Sequence, residues 1–309
     1  MAVERNEVLA VGSIMVDLLC RVPRLPLSGE GIVVEDERAM LGGCAFNSAN
    51  AVRQLGVPCR LFAPVGEGVF AGFVEHGLKE RGIEAFHVAA GPDGIAHDNG
   101  GCVCFVEPGG QRTMVTLPGV DRHFDAAWFE RLDPARYSCG FASGYEIEGE
   151  GGDAIIGFFE AHPQIAFYYA PGPRIESIGE SKTARINGLH PVWHLNDQEA
   201  IAFTGCASVE EAGSVIAQAC GNAVVVTAGA QGAHLFEDGR HVVVPTQPAK
   251  IVDTVGAGDA HLGALVAARS AGRSWEEALA LANRIAGAVC QVEGGVLDDA
   301  AFAALGVRL

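Results

Sequence analysis

Hydrophobic residues follow two rhythms along this chain. Residues 8–12, 165–169 and 223–227 are short, nearly continuous apolar runs, as strands buried on both faces require. Residues 60–65 are predicted as a further strand. Longer segments repeat apolar positions every three to four residues, the spacing of an amphipathic or buried helix. They are 46–55, 70–81, 207–219, 258–270 and 275–292. Strands alternating with helices predict βαβ units. The expected fold class is α/β: a doubly wound, mainly parallel sheet flanked by helices.

Two stretches interrupt the alternation. Residues 31–40 look like a strand without a following helix. Residues 101–107 and 113–117 look like a hairpin around Pro108, Gly109 and Gly110. The expected organisation is one domain over 1–309, with a small β-lid formed by about 31–40 and 101–117.

Length and composition set bounds. A chain of 309 residues, 49% of them hydrophobic, suffices for a large core. The formal charge of -17 argues against nucleic acid or an anionic membrane as partner, since both need a basic surface. Nine cysteines are scattered without a C-x-x-C pair, which suits a reduced, cytoplasmic compartment. Glu4, Glu7 and Asp17 near the start are unlike a secretory signal. No apolar run approaches the length that crosses a bilayer.

Four segments carry candidate chemistry. Asp253-Thr254-Val255-Gly256-Ala257-Gly258-Asp259 runs into an apolar helix. Bare N–H groups at Gly256, Ala257 and Gly258 would bind phosphate at the positive end of that helix. Asp259 would then take a proton from an attacking hydroxyl, or merely cap the helix. Gly42 and Gly43 precede a second helix with Asn47 in its first turn, either a polyol ligand or a helix-start residue. Thr227-Ala228-Gly229-Ala230-Gln231-Gly232 follows a buried strand, where nucleotides bind parallel sheets. Asn196 and Glu199 have capping-box spacing, and also suit a hydrated Mg²⁺ and phosphates.

Together, in this order from Gly12 to about Gly295, these segments resemble the ribokinase-like (PfkB) carbohydrate kinase family. The resemblance implies ATP-dependent phosphorylation of a hydroxyl on a small sugar or sugar-like acceptor, a nucleoside or other small alcohol being the alternative. A non-catalytic sugar sensor is the competing class. It implies Asp259 as catalytic base and Gly256, Ala257 and Gly258 as anion hole. Asp17, Gly43 and Asn47 match acceptor-binding positions. Asn196, Glu199, Thr227, Gly229, Gly232 and Asn283 match nucleotide-binding positions, with Glu199 meeting Mg²⁺ through water. The turn at 292–294 lies where relatives hold a monovalent cation such as K⁺ with backbone carbonyls. Relatives often pair their lids into a homodimer, which would cover the unpaired edges of lid strands.

The chain also departs from the family. Ala170 replaces a polar residue near the phosphates, whereas Arg174 remains to serve the nucleotide. His261 replaces a usual Phe and is expected to pack. Gly68 stands where an Asp often lies. Met15 stands where ribokinases have a sugar-contacting Asn, which argues against strict ribose specificity. Ala142-Ser143-Gly144-Tyr145 lacks the Ser-Leu-Pro of the sugar-phosphate branch.

Overall fold

The structure, a computed structural model, describes residues 7–309; Glu4, part of the reading of the N-terminus, lies outside them. The chain opens with β1 (Glu7–Val11), β2 (Met15–Arg21), β3 (Asp36–Gly42) and α1 (Cys44–Gln54). Next come β4 (Cys59–Phe62), β5 (Pro64–Val65), α2 (Val69–Glu80), β6 (Phe86–His87), β7 (Gly101–Val106) and β8 (Arg112–Leu117). The alternation continues through β9 (Tyr137–Ser143), α3 (Gly144–Glu148), α4 (Gly152–Ala161), β10 (Ala166–Ala170) and α5 (Glu180–Gly188). It then runs through β11 (Val192–Asn196), α6 (Asp197–Thr204), α7 (Val209–Cys220) and β12 (Val224–Thr227). The hairpin β13 (Ala233–Glu237) and β14 (Arg240–Val244) and the helices α8 (Ala257–Ser270), α9 (Trp275–Val289) and α10 (Asp299–Ala304) complete it.

Eight strands form the main sheet, in the order β14-β13-β12-β11-β10-β9-β1-β4. Strands β4 to β12 of this order run parallel, and β13 and β14 are antiparallel. Strand alternation divides the interior into two cores. Val8 and Ala10 of β1 face a core shared with α1, α8 and α9, while Leu9 and Val11 face one shared with α4, α5 and α7. Burial on both faces is why these strands read as unbroken apolar runs. From β1 the chain steps to β4 on one side and later to β9 on the other. The crevice at the carboxyl ends of β1 and β9 is therefore the switch point where such sheets bind ligands.

A second sheet has the order β3-β2-β7-β8. Its central strand, β2, places Asp17 between Met40 of β3 and Cys102 of β7. Three arginines tie this sheet to the loops around α8 and α9. Arg21 and Arg38 pair with Glu293, and Arg112 with the buried Asp253.

Several boundaries differ from the pattern. The strand expected at 31–40 is β3, which begins at Asp36, because its ladder with β2 starts at the Arg21–Asp36 pair. It ends at Gly42 and runs through Gly43 directly into α1, so a helix does follow. The expected strand 60–65 is broken between two sheets: β4 joins the main sheet, whereas Pro64 and Val65 pair with Phe86 and His87. The helix expected to reach 292 ends at Val289. Among the described residues no single helix is long and apolar enough to cross a membrane.

Candidate active site

Gly256 starts α8 in the left-handed region (φ 71°), and a Cβ there would stand 2.3 Å from Gly295. Only glycine allows this approach. No side chain caps α8. Of the N–H groups at its start, Ala257 N donates to the Thr254 carbonyl at 3.3 Å, which leaves those of Gly256 and Gly258 for an anion, and Asp259 does not cap the helix. Instead the Asp259 carboxylate accepts from Asn47 Nδ2 at 2.9 Å, and Ser48 Oγ donates to the Asp259 carbonyl at 2.9 Å. Both donors lie on α1, so α1 and α8 together position the carboxylate. Burial raises the Asp259 carboxyl to about 6, against the lowering effect of the Asn47 bond and the Cys44 thiol.

Two cavities meet at Asp259. One, of about 310 Å³, lies over the main sheet, and its wall includes Asn196, Glu199, Thr227, Gly256, Gly258 and Asp259. The other, of about 300 Å³, lies under the small sheet, and its wall includes Asp17, Gly43, Asn47, Gly256 and Asp259. Cys44 and Tyr145 also line both. An attacking hydroxyl in the second cavity would thus face, across one carboxylate, a phosphate in the first.

The second cavity is built closely around its polar groups. Gly42 leaves room for Asp17, whose Oδ2 would stand 2.0 Å from a Cβ there. Burial and the nearby Asp259 charge raise the Asp17 carboxyl to about 6. Gly43 (φ 99°) packs on the Ser13 carbonyl. Asn47 Oδ1 is buried without a partner, an acceptor left unsatisfied beside this cavity. Arg174 lines this cavity rather than the first, with its guanidinium 5.1 Å over the Tyr145 ring.

In the first cavity, the capping box of Asn196 and Glu199 is formed, with N–H to oxygen distances of 2.8 and 3.0 Å. It uses one oxygen of each side chain. Glu199 Oε1 remains to accept from a water on Mg²⁺, which these surroundings fit, and Asn196 Nδ2 remains to donate to a phosphate oxygen. Thr227 reaches the cavity, but its hydroxyl donates to the Leu195 carbonyl. Gly229 and Gly232 lie outside the lining of either cavity. Gly232 is needed for packing, since a Cβ would meet the Val244 carbonyl at 2.2 Å.

Asn283 also stands behind the wall. Its Nδ2 donates to the carbonyls of Val244 (2.9 Å) and Pro245 (3.3 Å), which turns Oδ1 toward His261. His261 Nε2 must then donate to Asn283, leaving Nδ1 to accept from His194 Nε2 at 2.9 Å. His261 is therefore a buried hydrogen-bonding residue, more than the packing residue its position suggested. Burial pushes its pKa down to about 4.

Gly68 has a local explanation. Asp98 reaches across to the first turn of α2, accepting from Phe70 N (3.0 Å) and Ala71 N (2.7 Å). A Cβ at Gly68 would lie 2.2 Å from Asp98 Cγ. The sequence reading missed Cys44, Tyr145, Asp253 and Arg112. Asp253 opens the glycine motif, a signal its position alone carries; Arg112 lies 141 residues from its partner and left no local signal. Burial would raise Asp253, but Arg112 and the N–H groups of Val255 and Gly294 outweigh it and hold the carboxyl below its usual range. At the turn 292–294 Arg21 and Arg38 are balanced by Glu293 and Asp36, and Arg112 by Asp253.

Comparison with known proteins identifies the family and the fold. The profile of the pfkB family carbohydrate kinases matches residues 5–141 and 180–300. The chain is 30% identical over 295 residues to the uncharacterized sugar kinase YegV of Escherichia coli (strain K12), covering 94% of this chain and 90% of that one. Adenosine kinase from Sinorhizobium meliloti superposes with a TM-score of 0.83 at 22% identity, over 98% of this chain and 99% of that one. Arabidopsis thaliana ribokinase complexed with ribose and ATP superposes with a TM-score of 0.78 at 20% identity, over 97% and 98%. The family profile spans most of the chain, and this protein belongs to the pfkB family of carbohydrate kinases, with the ribokinase fold.

Proposed function

We propose that the protein transfers the γ-phosphoryl group of ATP to a hydroxyl of a small sugar-like acceptor, with Asp259 as base. The observation that carries this reading is the meeting of two cavities at one desolvated carboxylate beside an uncapped helix. The acceptor sits under the small sheet, acting as a lid on a single domain, held by Asp17 and by Asn47 Oδ1. Asp259 takes the hydroxyl proton as the oxygen attacks phosphorus. The N–H groups at Gly256 and Gly258 stabilise charge on the transferring group. Mg²⁺, held through water by Glu199, would offset phosphate charge, and Asn196 Nδ2 would donate to a phosphate oxygen. Thr227, Gly229, Gly232 and Asn283 shape the nucleotide side, the last three by holding the loops behind it.

A second reading concerns the acceptor. Met15, Met40, Met114, Leu19, Cys102 and Cys104 make the acceptor cavity more apolar than a polyol needs. Thioethers adapt to flat rings, so a nucleoside or another ring-bearing alcohol is favoured over a bare sugar. ADP release measured across a panel of sugars and nucleosides tests both readings. Turnover of a nucleoside supports the second, turnover of a free sugar alone supports the first, and ATP binding without turnover of any acceptor would leave a sensor.

The nine cysteines are all free, which suits the cytoplasm. The β8 edge exposes Met114, Val115 and Leu117, and pairing of small sheets would cover them in a homodimer. Light scattering at micromolar concentration tests this, and a monomeric mass contradicts it.

A further inference from the structure

We propose that Asp93, His97 and His123 form a binding site for a divalent transition metal of the zinc class, at the root of the small sheet. Among the described residues these side chains bring three metal-ligating atoms within 4.8 Å of one another. His97 Nε2 lies 2.9 Å from Asp93 Oδ2, and the rings of His97 and His123 stack with centroids 4.4 Å apart. The aspartate is held in place: Asp93 Oδ1 accepts from Ile95 N at 3.0 Å, inside a turn closed by Gly91 N to Ile95 O at 2.9 Å. Gly91 leaves the back of the cluster open. A Cβ there would stand 3.0 Å from Asp93 Oδ1, 3.2 Å from His97 Cδ2 and 3.5 Å from His123 Cβ.

Two imidazoles and one carboxylate form the mixed N/O set that suits zinc, cobalt or nickel, whereas magnesium and calcium prefer oxygen alone. With metal–ligand bonds of about 2.0–2.2 Å, tetrahedral ligand atoms stand about 3.4 Å apart. Reaching that spacing takes side-chain rotation, for which the partly exposed His97 has room while Asp93 keeps its bond from Ile95 N. Coordination replaces the His97–Asp93 hydrogen bond with a shared ion. The site connects directly to the small sheet. After His97 come Asp98, which holds α2, and Asn99, whose Nδ2 donates to the carbonyls of Ile14 (2.9 Å) and Pro64 (3.1 Å). Gly100 then accepts from Val16 N at 3.1 Å, and β7 begins.

The test is a titration of chelator-treated protein with Co²⁺, whose visible absorption reports its ligands, followed by competition with Zn²⁺. The expected result is one metal per chain with a micromolar or tighter dissociation constant, and a higher Tm with Zn²⁺. His97→Ala and His123→Ala should each weaken binding at least about ten-fold, since even an outer partner of a ligand is worth that much. Glu199→Gln, at the nucleotide cavity, should leave the titration unchanged. If either histidine variant fails to fold, Asp93→Asn gives the same readout. Absence of micromolar binding, or binding that survives both histidine substitutions, overturns the proposal.

Discussion

Asn47 of α1 and Asp259 of α8 are 212 positions apart in the chain, yet Asn47 Nδ2 donates to Asp259 Oδ2 across 2.9 Å. One asparagine thereby fixes the carboxylate and keeps its own Oδ1 without a partner. The Asp17 carboxylate lines the same cavity and would be the second partner for hydroxyls under the proposed function.

Acceptor binding should depend on Asp17. Removing one partner from a half-buried polar site costs about 1–3 kcal/mol for each unmatched group. Asp17→Ala is expected to raise the acceptor KM roughly 5- to 150-fold by that measure, and to leave the ATP KM nearly unchanged. Steady-state kinetics with each substrate varied in turn would show this, and equal losses for both would contradict it.

The pH profile should carry the mark of desolvation. Burial raises Asp259 to about 6, and burial with the Asp259 charge raises Asp17 to about 6. A base must be ionised, so kcat/KM should fall as pH drops through about 6 and level off above it. Because the two carboxylates interact, the limb belongs to the pair, and Asp17→Asn should move it to lower pH. A limb near 4, the ordinary carboxylate value, would argue against this electrostatic picture. For stability the sign is opposite. Both folded-state values lie above the unfolded ones, so the contribution is full at acid pH and is lost as pH rises through about 6.

His261 offers a separate test. His261→Phe restores the residue the family favours but strands Asn283 Oδ1 and the His194 Nε2–H group. Each stranded group costs about 1–3 kcal/mol, so a urea melt should show a clear loss of stability while kcat stays within a few-fold. Its pKa of about 4 lies below the unfolded value, so its contribution is lost as pH falls through that range. An unchanged melt would mean that the chain of three side chains holds nothing in place.

The parts of the fold visible in the sequence are those with strong local signals. Buried parallel strands such as β1 and β12 are unbroken apolar runs, and α7 lies between Ser208 and Gly221, which cap it. Strand β9 escaped notice because Ser138, Gly140 and Ser143 interrupt its pattern, and β2 because Asp17 and Arg21 do. The glycine run at Gly256 was legible because its conformation is local. The Asn47–Asp259 and Arg112–Asp253 contacts were not, since each joins residues far apart in the chain and leaves no periodic trace.

The most direct test of the base is Asp259→Asn, with steady-state kinetics and a thermal melt on the same preparation. Asparagine keeps the shape and can still accept from Asn47 Nδ2 through its own Oδ1, but it takes up no proton. Because it removes a desolvated charge, Tm at neutral pH should hold or rise. General base catalysis contributes about 10²–10⁴-fold, so kcat should fall by that factor while ATP and acceptor bind with similar affinity. Turnover within a few-fold of the wild type would contradict the assignment of Asp259 as the base.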